Sequence, residues 1–301
     1  MKTNAAVLWE LGKNWEIVEL DLDPPKQGEV LIRYVAAGLC HSDEHLRHGD
    51  IVPRFPLVGG HEGAGIVEEV GPGVTKVEPG DHVLVSFIPS CGECRWCRTG
   101  HQNLCDLGEF LLDGQLPDGT FRFSLNGEGA GGMCSVGSFS QYGTLSQHSV
   151  IKVDESHPLD TAVLASCGVP TGWGTAVNAA GVRAGDTAVI YGSGGVGINA
   201  VQGAATAGAK HVVVVDPVAF KRETALKLGA THAFADADSA MEAVWEMTHG
   251  QGADQAMVIV GDVHPEVVTA AFNIVGKAGT IAITAMGPWD ELSIQLPAAQ
   301  L

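Results

Sequence analysis

A chain of 301 residues is long enough for two ordinary domains, and 45% apolar residues can fill their cores. A formal net charge of -18 repels phosphate backbones and anionic lipid, which excludes nucleic acid and membrane surfaces as partners. No apolar run approaches the ~20 residues of a membrane helix, and the first nine residues carry no signal-peptide core, so the expected place is the cytoplasm.

From residue 1 to about 153 the chain shows short, alternating, β-branched runs broken by Gly and Pro. Strands are predicted at 29–35, 64–70 and 82–86, with turns at Gly71-Pro72-Gly73 and Pro79-Gly80-Asp81, which reads as an antiparallel β domain. After the first strand, Cys40 opens a dense polar run, His41-Ser42-Asp43-Glu44-His45. His61-Glu62 then stands between Gly59-Gly60 and Gly63, with little bulk around the imidazole. Cys91, Cys94, Cys97 and Cys105 follow at C-x2-C-x2-C-x7-C spacing. Seven cysteines in a reducing compartment need a reason other than disulfides, and four thiolates on one short loop suit a closed tetrahedral zinc site. An iron–sulfur cluster uses the same ligands. Cys40, Cys134 and Cys167 remain; a lone Cys is usually a small buried hydrophobe, and spacing alone does not join Cys40, His61 and Cys167 into a site.

From about residue 171 the texture becomes alternating strand and helix, the pattern of a doubly wound parallel sheet. Strands are predicted at 187–191, 211–215, 232–235, 255–260 and 280–284, and helices at 196–207, 218–228, 239–248 and 265–275. Gly192-Ser193-Gly194-Gly195-Val196-Gly197 fits G-x-G-x-x-G between the first strand and the first helix. Gly192 makes the tight turn, Gly194 admits a pyrophosphate, Gly197 permits close packing, and the helix N-terminus at Gly195 and Val196 offers positive potential. Asp216 ends the next strand about 20 residues on, where a carboxylate accepts from ribose hydroxyls and repels a 2′-phosphate, favouring NAD over NADP.

Gly38-Leu39-Cys40-His41-Ser42-Asp43, Gly60-His61-Glu62-Gly63-Ala64-Gly65, the four-cysteine lobe and the later Cys167 resemble zinc-containing alcohol dehydrogenases of the medium-chain dehydrogenase/reductase superfamily. The resemblance covers the whole chain in order. Phe87-Ile88-Pro89-Ser90-Cys91 and Gly100-His101-Gln102-Asn103-Leu104-Cys105 are similar to the actinobacterial-type nicotinoprotein subgroup, whose members hold NAD tightly. The resemblance implies a GroES-like, mostly antiparallel β catalytic domain over 1–160 with a structural zinc lobe at 91–105, and a Rossmann domain over 161–301. It implies two zinc ions per subunit and NAD, an alcohol or aldehyde substrate, and a homo-oligomer, dimer or tetramer.

By the same resemblance Cys40, His61 and Cys167 ligate the catalytic zinc with one position open, and Cys91, Cys94, Cys97 and Cys105 the structural zinc. Asp43 holds His61 from behind, and Glu62 lies near the metal. Ser42 takes the alcohol proton first, and the cofactor ribose and His45 relay it to solvent. His45 as a plain surface residue stays open. Phe87 lines the substrate pocket, with core packing as the alternative. His41 meets the pyrophosphate, Thr171 packs on nicotinamide, and Lys221 reaches the adenosine ribose. Cys134 packs without an assigned role. Family members continue well beyond residue 301, so the Rossmann sheet is expected with five strands. Two rivals stand beside alcohol oxidation: dehydrogenation of a thiol–formaldehyde adduct on the same machinery, and a non-catalytic dinucleotide-binding protein.

Overall fold

In the computed structural model the chain forms two compact units, Met1–Cys167 and Gly168–Leu301. The structure describes residues 1–288, 293, 294, 296, 297 and 299.

The first unit is built on β1 (Lys2–Leu8), β2 (Glu16–Leu22), β3 (Glu29–Ala37), β4 (Leu57–Val58), β5 (Gly63–Val70), β6 (His82–Val85), β7 (Phe123–Leu125), β8 (Glu128–Gly132), β9 (Tyr142–Ser146) and β10 (Val150–Lys152). β1, β2, β7, β8 and β4 close into a barrel in that order, and β10-β6-β5-β3-β9 form a second sheet. The second sheet is antiparallel throughout, while the barrel has one parallel pair, β4 with β8. β3 shows why alternation matters. Val30 and Ile32 enter a core with Val67, Val83, Val85 and Leu145, whereas Leu31, between them, enters the barrel core with Val7, Leu20, Val58 and Phe123. Successive strand side chains point to opposite faces, so one run serves two cores, each buried aliphatic contributing about 1.5–3 kcal/mol.

Three short helices belong to this unit: α1 (His41–His48), α2 (Arg95–Arg98) and α3 (Leu159–Ala162). The polar run after Cys40 is helical because Asp43 caps it: the Cys40 backbone N–H donates to Asp43 Oδ2 at 2.9 Å.

The second unit pairs β11 (Thr187–Tyr191), β12 (His211–Val215), β13 (His232–Phe234), β14 (Ala253–Val258) and β15 (Val275–Ile283) in parallel, in the order β13-β12-β11-β14-β15. Its helices are α4 (Gly168–Gly174), α5 (Gly195–Thr206), α6 (Ala219–Lys227), α7 (Ala237–Met247) and α8 (Pro265–Ile274). Ala188, Ile190, Val212 and Met257 pack with Ala200, Val201 and Ala204 of α5 on one face. Val189, Val213 and Val258 pack with Val244 of α7 and Ile274 of α8 on the other. Two covered faces define the doubly wound sheet, and they explain why its strands read as continuous apolar runs.

The predicted strands at 187–191 and 211–215 match β11 and β12 in both bounds. Elsewhere the ends move for local reasons. α7 begins at Ala237 because Asp236 Oδ1 accepts the Ser239 N–H at 2.8 Å. β14 begins at Ala253 because Gly252, at φ +79, turns the chain into the strand. β15 begins at Val275, straight after α8, and a register irregularity opposite Ala253 and Gln255 absorbs the extra length. Among the described residues no helix is long and apolar enough to cross a membrane.

Candidate metal centres and dinucleotide site

The N-cap of α1, the entry to β5 and the end of a 3₁₀ turn supply the first centre. Cys40 is the N-cap, His61 and Glu62 immediately precede β5, and Cys167 follows Val163–Ser166. One donor atom from each of Cys40, His61, Glu62 and Cys167 lies within 4.8 Å of the others. His61, Glu62 and Cys167 are buried. Two sulfurs, an imidazole and a carboxylate at that separation fit a zinc ion: Cys₂His is a catalytic donor set, and a fourth position can change hands.

Asp43 serves this centre twice. Its Oδ2 caps α1, and its Oδ1 accepts the Gly60 N–H at 3.3 Å, fixing the loop that carries His61. His61 Nδ1 lies 3.5 Å from Asp43 Oδ1, a charge contact only, because this buried nitrogen has no hydrogen-bond partner in the described residues. Ser138 Oγ donates to the Glu62 carbonyl at 2.7 Å and Ser166 Oγ to the Gly63 carbonyl at 3.0 Å. Neither serine was flagged by the sequence, since an isolated Ser carries no spacing signal.

Without metal the donors charge one another. The Cys167 contact holds the Cys40 thiol down at about 3, against the desolvation that opposes it and with help from His61. Burial works against protonation of His61, yet Asp43 and Cys40 together raise it to about 10. Burial, then the Cys40 charge, pushes the Glu62 carboxyl upward. Such a cluster is a cation site in electrostatic terms, because a dication relieves the crowded negative charge.

Ser42 and Phe87 also come to this centre. Ser42 Oγ is 3.5 Å from Cys40 Sγ, and the Phe87 ring meets the His61 ring edge-on with centroids 5.6 Å apart. His45 lies further along α1, stacked edge-on against His41 at 4.8 Å, and is buried with 3% of its surface exposed. Its Nδ1 contacts Asp50 Oδ2 at 2.7 Å. Cys134 packs against Leu46, Leu57 and Met133, and burial pushes its thiol up to about 12.

The second centre is the lobe after β6. Cys91, Cys94, Cys97 and Cys105 also place one sulfur each within 4.8 Å of the others. The Cys94 and Glu93 N–H groups donate to Cys91 Sγ at 3.3 and 3.4 Å, Cys97 N–H to Cys94 Sγ at 3.5 Å, and Cys91 N–H to Cys105 Sγ at 3.4 Å. Backbone donors aimed at sulfur favour the thiolate: the N–H groups of Cys97 and Asp106 bring Cys94 down to about 6. Burial instead raises Cys105 to about 11. Four sulfurs leave no open position, so this centre fits a structural zinc.

In the second unit the glycine loop leaves β11 at the point where strand order reverses. A Cβ on Gly192, at φ +89, would collide with the Ile259 carbonyl, and one on Gly197 would collide with the Gly192 carbonyl. Gly194 and Gly195 have open space where a Cβ would be, which leaves the N-terminus of α5 accessible to a pyrophosphate. Asp216 is buried; its Oδ2 accepts from Ser193 N–H at 2.9 Å and Ser193 Oγ at 3.2 Å, and its Oδ1 from Val218 N–H at 2.9 Å. Lys221 Nζ stands 4.0 Å from the same carboxylate. Thr171 sits in α4, where its carbonyl accepts from Thr175 Oγ1 at 2.7 Å.

Residues 26–155 match the alcohol dehydrogenase GroES-like domain, and residues 195–301 match the zinc-binding dehydrogenase family. The chain is 64% identical over 301 residues to putative alcohol dehydrogenase D of Mycobacterium tuberculosis, covering 100% of this chain and 82% of that one. The chain belongs to the zinc-containing alcohol dehydrogenases. An NDMA-dependent alcohol dehydrogenase of Amycolatopsis methanolica is likewise 64% identical, over 98% of this chain and 80% of its own length. Among solved structures, benzyl alcohol dehydrogenase of Acinetobacter calcoaceticus superposes with a TM-score of 0.90 at 30% identity, over 100% of this chain and 81% of that one. This alcohol dehydrogenase is thus an oxidoreductase of small-molecule alcohols that uses zinc and a nicotinamide dinucleotide.

Proposed function

We propose that this alcohol dehydrogenase oxidises primary alcohols with a catalytic zinc on Cys40, His61 and Cys167, a structural zinc on the four-cysteine lobe, and NAD retained between turnovers. The observation that carries the reading is the approach of two sulfurs and a buried imidazole to one point in the first unit. Held by these residues, zinc would supply Lewis acidity and NAD a hydride acceptor. The chain's own residues do the rest. Asp43 orients His61, Phe87 walls the substrate side of that ring, and Ser42 Oγ takes the hydroxyl proton while passing on its own. His45, three residues along α1 and therefore on the same helix face, receives it. Glu62 lies beside the ligands, His41 and Lys221 meet the cofactor phosphates and ribose, and Thr171 meets nicotinamide. Thiolate ligands suit a cytoplasmic, reducing setting, and a homo-oligomer is the expected state.

Retention of NAD is supported by the 64% identity to a relative named for NDMA dependence. The test is an absorbance spectrum of the purified protein, with a primary alcohol added and no cofactor. A rise in the near-ultraviolet band of reduced nicotinamide is expected. Turnover that requires added NAD, with no such rise, removes the resident cofactor; a strong preference for an S-hydroxymethyl thiol adduct over any primary alcohol replaces the substrate class.

Asp216 sets the choice of dinucleotide. Asp216→Asn keeps the side-chain size but removes the charge that repels a 2′-phosphate, and its amide nitrogen no longer accepts one of the two backbone N–H groups, of Ser193 and Val218, that the carboxylate receives. One hydrogen bond to a charged group is worth about 1.5–3 kcal/mol, so NAD affinity should fall roughly 10- to 100-fold while NADP affinity falls less. Titration of cofactor-stripped protein with each dinucleotide checks this, and an unchanged preference for NAD refutes it.

A further inference from the structure

We propose that Asp50 is a positioning residue for proton exchange: it holds the His45 imidazole in one tautomer and places a negative charge against the cation formed when His45 takes a proton. The inference rests on the relay reading of His45. Two features of the fold bring the groups together. α1 ends at His48, and Gly49 adopts φ +97, a left-handed conformation that side-chain-bearing residues rarely take. The chain folds back so that the N–H groups of Gly49, Asp50 and Ile51 converge on the His45 carbonyl, at 3.0, 3.0 and 3.4 Å. That return brings the Asp50 carboxylate to His45 Nδ1 at 2.7 Å.

The chemistry of the pair fixes the roles. A carboxylate only accepts, so Nδ1 must carry the hydrogen, and the proton-taking atom is Nε2. When Nε2 gains a proton, the ring bears a positive charge in a place where only 3% of the residue is exposed. The Asp50 carboxylate at Nδ1 places an opposite charge beside it. Asp50 is itself more exposed, its side chain at 23%, so the dyad reaches from a buried ring to solvent. A surface histidine would need none of this; the alternative of a plain surface residue gives way to a buried ring with a carboxylate at its outer end.

The test compares Asp50→Asn, Asp50→Glu, His45→Gln and the His45→Gln/Asp50→Asn double variant in the full chain with zinc and NAD present. Asp50→Asn keeps an acceptor but removes the charge, and its kcat is expected to fall on the order of 10-fold. Zinc content and alcohol KM should be unchanged. Added imidazole should restore the lost turnover, and Asp50→Glu should keep most of it. In the His45→Gln background the Asp50 substitution should cost nothing further, because its action runs through the ring. Wild-type turnover in Asp50→Asn, or a loss that imidazole leaves untouched and that persists on His45→Gln, overturns the inference alone. Wild-type turnover in His45→Gln overturns the relay reading and the inference together. The tautomer can also be read without substituting Asp50: the ¹⁵N spectrum of histidine-labelled wild type, assigned against His45→Gln, should show hydrogen on Nδ1. A neutral ring with hydrogen only on Nε2 overturns the proposal even where Asp50→Asn fails to fold.

Discussion

Cys40→Ser is expected to leave a folded protein that binds one zinc ion instead of two and to lower kcat by at least ~10³-fold. Cys40 is held ionised by its contact with Cys167 and by His61, so the wild-type site presents an anionic sulfur to the metal at any ordinary pH. A serine hydroxyl in that place stays neutral and hard, and the ligand set loses both charge and softness. Zinc as a Lewis acid contributes several kcal/mol, and 1.36 kcal/mol is a factor of ten in rate, which sets the size of the loss. The fold should survive, because the N-cap contact of Cys40 that matters to α1 is its backbone N–H on Asp43, untouched by the substitution. Zinc by mass spectrometry and steady-state turnover decide the matter; a variant with full zinc and full turnover would sink the assignment. Metal loading carries a further signature. In the metal-free site His61 stays protonated up to about 10, and the metal takes only neutral imidazole. Zinc uptake at neutral pH should therefore release the His61 proton, and affinity should weaken as pH falls, which calorimetry in two buffers of different ionisation enthalpy would show.

The two halves of this protein were not equally legible in the sequence. β11 and β12 could be delimited to the residue because a strand covered on both faces is a plain apolar run, ended here by Gly192 and Asp216. β1 and β2 went unread. Their exposed positions carry residues such as Ile17, with 76% of its surface exposed, so alternation is blurred, and beyond their pairing with each other their partners β4 and β7 are distant in sequence. α1 was hidden because its residues are almost all polar, and its helicity depends on a cap and on burial of Asp43, His45 and Leu46. The cysteine lobe was legible from spacing, since local loops fix local sulfurs. Cys40, His61 and Cys167 were not, because no period connects an N-cap, a strand entry and a 3₁₀ turn; resemblance named them, and the folded β5 and α1 bring them together. Asp50 lay beyond both routes. Its signal, a Gly-Asp pair just past a helix capped by Cys40, becomes readable only once the helix is known.

Cys97→Ser is expected to remove the other zinc ion, to lower Tm by roughly 10 °C, and to leave turnover per remaining zinc within a factor of a few at low temperature. The lobe has little else to hold it. Between Cys91 and Gly108 the chain forms only the single turn of α2 and the 3₁₀ turns Gln102–Leu104 and Asp106–Gly108. Three of its four sulfurs, those of Cys91, Cys94 and Cys105, accept backbone N–H bonds from within the lobe, so the loop's own conformation is organised around the sulfurs. A metal would hold all four sulfurs as thiolates around one centre; without it the loop has neither an apolar core nor a sheet to fall back on. Cys97 is the sharpest choice because it is buried, lies in α2, and has its sulfur 3.8 Å from Cys91 Sγ. The catalytic donors come from α1, β5 and the turn before Cys167, none of which includes a lobe residue, so chemistry and stability should separate. Zinc counting, calorimetry and proteolysis across 91–105 distinguish the outcomes. Two zinc ions and an unchanged Tm would show that the lobe orders itself without metal, whereas a loss of turnover at full catalytic zinc would show that it supports the reaction directly.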